Sequence, residues 1–374
     1  MRRLQLSTLA VALSLAVTPL SGQAAARSKS GATKSGTAKS GAPLRAAPEP
    51  IGVTPEMRIV AAHITANALR GHVSFLASDL LEGRDTPSRG LDVAGEYIAA
   101  QFRRFGLEPG GDDGYFQTVT LKPDDPDSPK SRNVVGILRG SDPALKETYV
   151  MLSSHYDHVG LAKSGSDPVF NGANDDASGT ASVLETAYAL ASLHPRPKRS
   201  VIFVLFCGEE KGLLGSKYYV RHPVVPLEKT IAHLNLEQMG RTDSSEGPHL
   251  NSANVTGFDF SDTPKLLVDS GRRIGVTVSK VDKASDDYFN RSDNGPLAMA
   301  GVPAHTVSVT YEFPDYHKPG DEWQKLDYDN MAKVTQAVGI GMLRLAQAVT
   351  TPKWSETYPG AKPYAEAGRK LNGK

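Results

Sequence analysis

The chain has 374 residues, 39% hydrophobic and 22% charged, with 35 Gly and 25 Pro. This make-up of an ordinary globular protein excludes disordered, collagen-like and disulfide-scaffold classes. Forty-two basic against 41 acidic residues give a net charge of +1, so the chain as a whole has no electrostatic footprint for nucleic acid or an anionic membrane.

That balance is uneven along the chain. Residues 1–50 carry Arg2, Arg3, Arg27, Lys29, Lys34, Lys39 and Arg45 against Glu49 alone, leaving 35 basic and 40 acidic residues in 51–374. The first segment combines Arg2 and Arg3 with a short apolar centre, then Pro19 and the small residues Ala24, Ala25 and Ala26. It reads as a secretory signal peptide over 1–26. Its apolar centre, about a dozen residues, falls short of the ~18 that a spanning helix requires. An exported protein, periplasmic or released to the medium and without a stable membrane anchor, is therefore expected. Residues 27–50 repeat Lys-Ser-Gly and then turn to Pro and Ala, the composition of a flexible basic linker.

From residue 51 a single catalytic domain is expected to run to 351. Helical spacing covers 63–81 and 90–106, the second with Val93, Tyr97, Ile98, Phe102 and Phe105 on one face and Gly106 as a stop. Strands then alternate with helices. Apolar runs begin at Asn133, Tyr149, Ser200, Ile231 and Ala304, and helical patterns fall near 178–193, 211–221, 263–274 and 329–348. Such alternation predicts an α/β fold: a mostly parallel central sheet with helices on both faces and an N-terminal helical segment wrapped on it. Residues 352–374, rich in Pro, Gly and Lys, are expected as a surface tail. Cys207 is the sole cysteine, so no internal disulfide forms, and its apolar run marks it as buried.

In an open α/β sheet, ligands bind beyond the carboxyl ends of the strands, and the polar motifs collect there. His155, Asp157 and His158 follow the strand at 149; Glu209 and Glu210 follow the strand at 200; Glu237 follows the strand at 231. Asn174, Asp175 and Asp176 open the helix at 178, and Asp315, His317 and Asp321 lie before the last helix. Oxygen and nitrogen donors without thiolates suit a catalytic divalent metal, zinc first. Gly-x-Ser-x-Gly, His-Glu-x-x-His and a Gly-rich phosphate loop are all absent.

Together the motifs His-x-Asp-His, Gly-x-Asn-Asp-Asp-x-Ser-Gly, Gly-Glu-Glu-x-Gly-Leu-Leu-Gly-Ser, Asn-x-Glu and Tyr-His-x-Pro-Gly-Asp, in this order, resemble the M28 family of cocatalytic zinc aminopeptidases. Residues 76–84 and 291–303 extend the likeness over most of 60–345. By resemblance the fold is that of a zinc-dependent exopeptidase. Asp175 bridges two divalent ions; His155 and Glu237 complete one site, and Glu210 and His317 the other. Glu209 is implied as general base. Asp157 is implied as the hydrogen-bond partner orienting the His155 ring, and His158 as a polar neighbour without a ligand's role. Two departures stand out: Glu237 replaces a common Asp, and Asn294 replaces the His of a usual Ser-Asp-His.

These features imply a metal-dependent exopeptidase acting on peptide substrates, with an aminopeptidase foremost. A carboxypeptidase-type dimetal enzyme, a glutaminyl cyclase-like single-zinc enzyme and a non-catalytic binding protein are the alternatives. Arg291 and Tyr288 lie in a late loop that the sequence does not place.

Overall fold

The middle of the sheet is apolar on both faces, and the strand sequences show why. In β4 (Tyr149–His155), Val150 and Leu152 face one side while Tyr149 and Met151 face the other. In β5 (Ser200–Phe206), Val201, Phe203 and Leu205 oppose Ile202, Val204 and Phe206 in the same way. Successive strand side chains point to opposite faces, so a continuous apolar run demands a cover on each side.

The computed structural model describes residues 52–122, 124–244, 247–280 and 284–373; the expected signal peptide and basic linker lie outside them. In chain order the first helices are α1 (Pro55–His63), α2 (Ala66–Leu76) and α3 (Arg89–Arg104). The strands β1 (Glu108–Pro109), β2 (Phe116–Thr120) and β3 (Lys130–Leu138) come next, followed by β4, α4 (Ser178–Ala191), β5 and α5 (Leu214–Arg221). Strand β6 (Thr230–Glu237) precedes the two-residue ladder β7 (Asp243–Ser244) and β8 (Gly247–Pro248), then β9 (Ser252–Val255), α6 (Thr263–Arg272) and β10 (Thr277–Ser279). The chain closes with α7 (Ala284–Asp287), α8 (Asn294–Met299), β11 (Ala304–Ser308), α9 (Tyr328–Gln347) and α10 (Lys362–Leu371).

The main sheet runs β1-β3-β5-β4-β6-β11-β9-β10, with β2 paired to β3. Its centre, β5-β4-β6-β11, is parallel, whereas β3 on one flank and β9 on the other join it antiparallel. The parallel register brings the carboxyl ends of β4, β5 and β6 to one edge. The larger core packs α1–α4, α6 and α9 on one face; the smaller packs α5, α8 and α10 on the other. Among the described residues no helix is long and apolar enough to cross a membrane.

The stretch from 352 differs from the surface tail expected of it. Trp354, Ala361, Tyr364 and Ala365 are buried in the smaller core, and the Trp354 indole donates to Gly301 O at 2.9 Å. The face left bare by α5 and α8 needs this cover, and the Pro and Lys residues that suggested a tail occupy its outer side.

His305 on β11 sits inside the same core. Its Nδ1 lies 2.9 Å from the carbonyl of Thr256, which only accepts, so that nitrogen carries the proton; Ser261 Oγ, at 2.6 Å, then donates to Nε2. Burial pushes this imidazole down to about 4 from 6.5, so it stays neutral where the unfolded chain takes up a proton. A depressed histidine contributes stability that is present above pH 6.5 and lost as pH falls toward 4. Between pH 6.5 and 5.5 the unfolding free energy of the wild type should fall by about 1 kcal/mol more than that of His305→Asn. Denaturant unfolding at the two pH values checks this; equal slopes would refute it.

Candidate metal centre and active site

Six acidic and imidazole side chains converge beyond the carboxyl edge of the parallel strands. His155 ends β4 and Glu237 ends β6. Asp175 lies in an irregular turn, Ala173–Ala177, that opens α4, and its peptide bond to Asp176 is cis. Glu209 and Glu210 follow β5, and His317 sits in the loop before α9 at a positive φ of 51°. The Asp175 carboxylate faces two ways: Oδ1 lies 3.2 Å from His155 Nε2, and Oδ2 lies 3.0 Å from His317 Nε2. Glu237 Oε1 is 3.8 Å from His155 Nε2, and Glu210 Oε1 is 3.2 Å from His317 Nε2. Two donor groups thus share one carboxylate, as expected of a bridging ligand.

Backbone donors hold the turn that presents Asp175. The buried Asp321 carboxylate accepts from Asn174 N at 2.9 and 3.0 Å and from Asp175 N at 3.0 Å. Asp176 accepts from Ser154 Oγ on β4, Gly179 N on α4 and Gln238 N just past β6, at 2.8–3.0 Å. A Cβ on Gly179 would stand 2.4 Å from Asp176 Oδ2, so this close approach requires glycine. Arg84 is 1% exposed and donates to four carbonyls, those of Tyr156, Leu76, Asn171 and Gly172. It clamps the chain leaving β4 to the chain entering the Asp175 turn. Arg241 forks onto Asp243 at 2.7 and 2.6 Å and reaches Asp315 at 2.8 Å, tying the His317 loop to the exit of β6.

Asp157 acts differently from its expected role. The His155 Nδ1 hydrogen bond goes to the Asp157 carbonyl at 3.1 Å, while the carboxylate stands 3.6 Å away. That carboxylate accepts instead from Thr86 Oγ1 at 3.1 Å and from Glu209 N at 3.2 Å, so it fixes the backbone under Glu209. Glu237 accepts from Ser292 Oγ, whose oxygen in turn accepts from Asn235 at 2.8 Å. The Asn294 amide is bonded to Phe289 O and Thr306 Oγ1, both at 2.8 Å, and to none of the ligand candidates.

So many acids in one buried space repel each other's charge. Burial pushes Glu209 and Asp176 well above the usual carboxylate range. Burial also lifts Glu237 to about 7, with the Asp175 charge adding to it against the pull of His155. For Asp175 burial acts the same way, but the hydrogen bonds from His155 and His317 overcome it and hold the carboxyl below its ordinary value. The hydrogen bond to Asp175 and the close Glu210 carboxylate raise His317 to about 10. A divalent cation answers this imbalance directly. The donor set is hard oxygen plus imidazole. Glu210 Oε1 is buried without a hydrogen-bond partner, and the donors of His155, Asp175 and Glu237 lie within 4.8 Å of one another, as do those of His158, Asp175, Glu210 and His317. The residues therefore fit zinc.

Residues 133–340 match the model of peptidase family M28. The chain belongs to this family. Among curated relatives it is 33% identical over 322 residues to a Leptosphaeria maculans protein named "Probable zinc metalloprotease", covering 75% of this chain and 73% of that one. It is 28% identical over 273 residues to leupeptin-inactivating enzyme 1 of Streptomyces exfoliatus, covering 72% of this chain and spanning half (50%) of the relative's length. The fold matches the LapA aminopeptidase of Legionella pneumophila with a TM-score of 0.60 at 19% identity, over 80% of this chain and 77% of that one. It equally matches the Bacteroides thetaiotaomicron glutaminyl cyclase, at TM-score 0.59 and 18% identity over 75% and 98%.

For this M28 member, His155, Asp157, Asp175, Glu209, Glu210, Glu237 and His317 lie together. Arg84, Thr86, Asn174, Ser154, Ser292 and Asp321 support this group without having been assigned such parts. The sequence signal for two of them is that Arg84 ends the 76–84 segment and Asp321 ends the Tyr-His-x-Pro-Gly-Asp motif. His158, expected as a polar neighbour, lies 2.9 Å from Glu210 Oε1.

Because Asp321 holds the Asp175 turn only through acceptor oxygens, Asp321→Asn should set an amide N–H against a backbone N–H. Zinc affinity should fall ~10-fold or more, in the range for outer partners of metal ligands, with the fold retained. Competition with a chromogenic chelator measures the loss; unchanged affinity would contradict it.

Proposed function

We propose that the chain is an exported metal-dependent aminopeptidase that hydrolyses N-terminal peptide bonds, with two divalent ions, zinc first, held by His155, Asp175 and Glu237 and by Asp175, Glu210 and His317. The observation that carries this reading is the position of Glu209. It lines a cavity of about 110 Å3 together with Asp175 and Glu237, so an acid not needed as a ligand stands beside two of the ligands and faces the space where a substrate enters.

Bound there, zinc supplies Lewis acidity toward a carbonyl oxygen and acidifies water. The chain's own residues do the rest. Glu209 takes a proton from the attacking water at its carboxylate and returns it to the leaving amine. Burial raises its proton affinity above that of an ordinary carboxylate, which helps it hold the proton it takes. Asp157 keeps the Glu209 backbone in place through the 3.2 Å bond to its N–H. Glu312, a cavity-wall acid that is neither ligand nor base, complements a free α-amine. Export follows from the 1–26 segment, whose residues lie outside the described structure.

One feature favours a second reading. Arg291 lines the same cavity with its guanidinium 4.6 Å above the Tyr288 ring, and an arginine suits a substrate carboxylate, as in carboxypeptidase-type cleavage.

A panel of aminoacyl, N-blocked and N-terminal glutaminyl peptides separates these readings. Free-amine substrates alone should be cleaved, and Glu209→Gln should lower kcat by ~100-fold or more while retaining metal. Cleavage of N-blocked peptides at a free C-terminus would replace the aminopeptidase with a carboxypeptidase. Ring closure of N-terminal glutamine without hydrolysis would replace both.

A further inference from the structure

His158 is the most completely enclosed polar side chain of the centre without a partner. Its exposure is 0%, and neither ring nitrogen has a hydrogen-bond partner among the described residues. A buried imidazole left this way is costly unless something not made of protein meets it. The ring is held firmly. Gly172, at φ +56°, packs so closely that a Cβ there would lie 2.5 Å from His158 Cγ, and His158 N donates to Arg84 O at 3.2 Å.

Its surroundings say what should meet it. Nδ1 lies 2.9 Å from Glu210 Oε1, and His317 Nε2 lies 3.2 Å from the same oxygen, yet that oxygen is hydrogen-bonded to neither ring. The groups are close without being aimed at one another. Donors that converge on a common cation look like this: two ligands ~2.1 Å from a tetrahedral zinc stand ~3.4 Å apart. Asp175 Oδ2, 3.0 Å from His317 Nε2, completes the group.

We propose that His158 is a direct ligand of the metal held by Asp175, Glu210 and His317, so that this site has four protein donors whereas the site of His155, Asp175 and Glu237 has three. The consequence is a division of labour. A site filled by four protein ligands has the character of a closed, structural site, and one with three keeps a position open for chemistry. The cavity agrees, because Asp175, Glu209 and Glu237 line it and His158, Glu210 and His317 do not. Substrate would then meet the His155 side, and the His158 side would act as the tightly held ion that fixes Asp175.

The inference rests on the two-metal reading, and metal titration tests it without any peptide substrate. Metal-free wild type titrated with Co(II) should fill a tight site first, giving the intense visible bands of four-coordination. The fully loaded protein should then show hyperfine-shifted proton signals from three imidazole rings, His155, His158 and His317. His158→Ala should weaken the tight class by more than ~100-fold, beyond the ~10- to 100-fold expected for an outer hydrogen-bond partner. His158→Gln, which can hydrogen-bond Glu210, should not restore it. Two bound ions with only two shifted rings, or rescue by His158→Gln, would overturn the role of His158 while sparing the two-metal site. Failure of the wild type to bind a second ion would remove the two-metal reading itself. The ring count uses unmutated protein, so it stands even where a variant does not fold.

Discussion

The structure around the centre depends on one electrostatic constraint: more negative charge is gathered in a buried space than the chain itself can neutralise. Asp157, Asp175, Asp176, Glu237, Asp293 and Asp321 are all buried, and Glu209 and Glu210 nearly so. Of the buried arginines near the centre, Arg241 is paired with Asp243 and Asp315, which leaves Arg84 facing this cluster. Burial lowers its guanidinium to about 10 even with Asp157, Asp321, Asp175 and Asp176 drawing it upward, so it remains a cation at neutral pH. Isolated buried charges are expensive. Such a cluster makes physical sense as half of a structure whose other half is divalent cation.

That constraint explains how the supporting shell is built. Paired lysines or further arginines would compete with a metal for the same carboxylates. The chain instead spends backbone N–H groups and hydroxyls on them. Asp321 takes the N–H groups of Asn174 and Asp175, Asp176 takes those of Gly179 and Gln238, and Ser154, Ser292 and Thr86 supply hydroxyls to Asp176, Glu237 and Asp157. These bonds orient each acid without neutralising it. Arg84 follows the same rule, since its hydrogen bonds go to carbonyls and not to carboxylates. It binds the loops together and adds only a distant favourable charge.

The clustering of His155, Asp175, Glu210, Glu237 and His317 was legible in the sequence because each sits at a strand end or in a turn-rich motif, where ligands of an open α/β sheet collect. Strands β4, β5 and β6 were legible from their apolar runs, unbroken from Val201 to Phe206 in β5 and shorter or alternating in β4 and β6. The supporting residues were not, because their partners lie far along the chain. Asp321 acts on Asn174 across 147 residues, and Arg84 on Asn171 across 87. No periodicity encodes such contacts. Strands β9 and β10 escaped notice because Ser252–Val255 and Thr277–Ser279 are short and partly polar. They exist by pairing with each other and with β11. Trp354 and Tyr364 were obscured by the Pro and Lys residues around them, although an aromatic pair 5.3 Å apart is a core signal once brought together.

The most direct measurement is anomalous diffraction at the zinc absorption edge from crystals of the zinc-loaded protein. Two peaks are expected a few ångströms apart, one on each side of the Asp175 carboxylate, with Glu209 bound to neither. A single peak, or a peak coordinated by Glu209, would contradict the assignment of these carboxylates between two cations and a base.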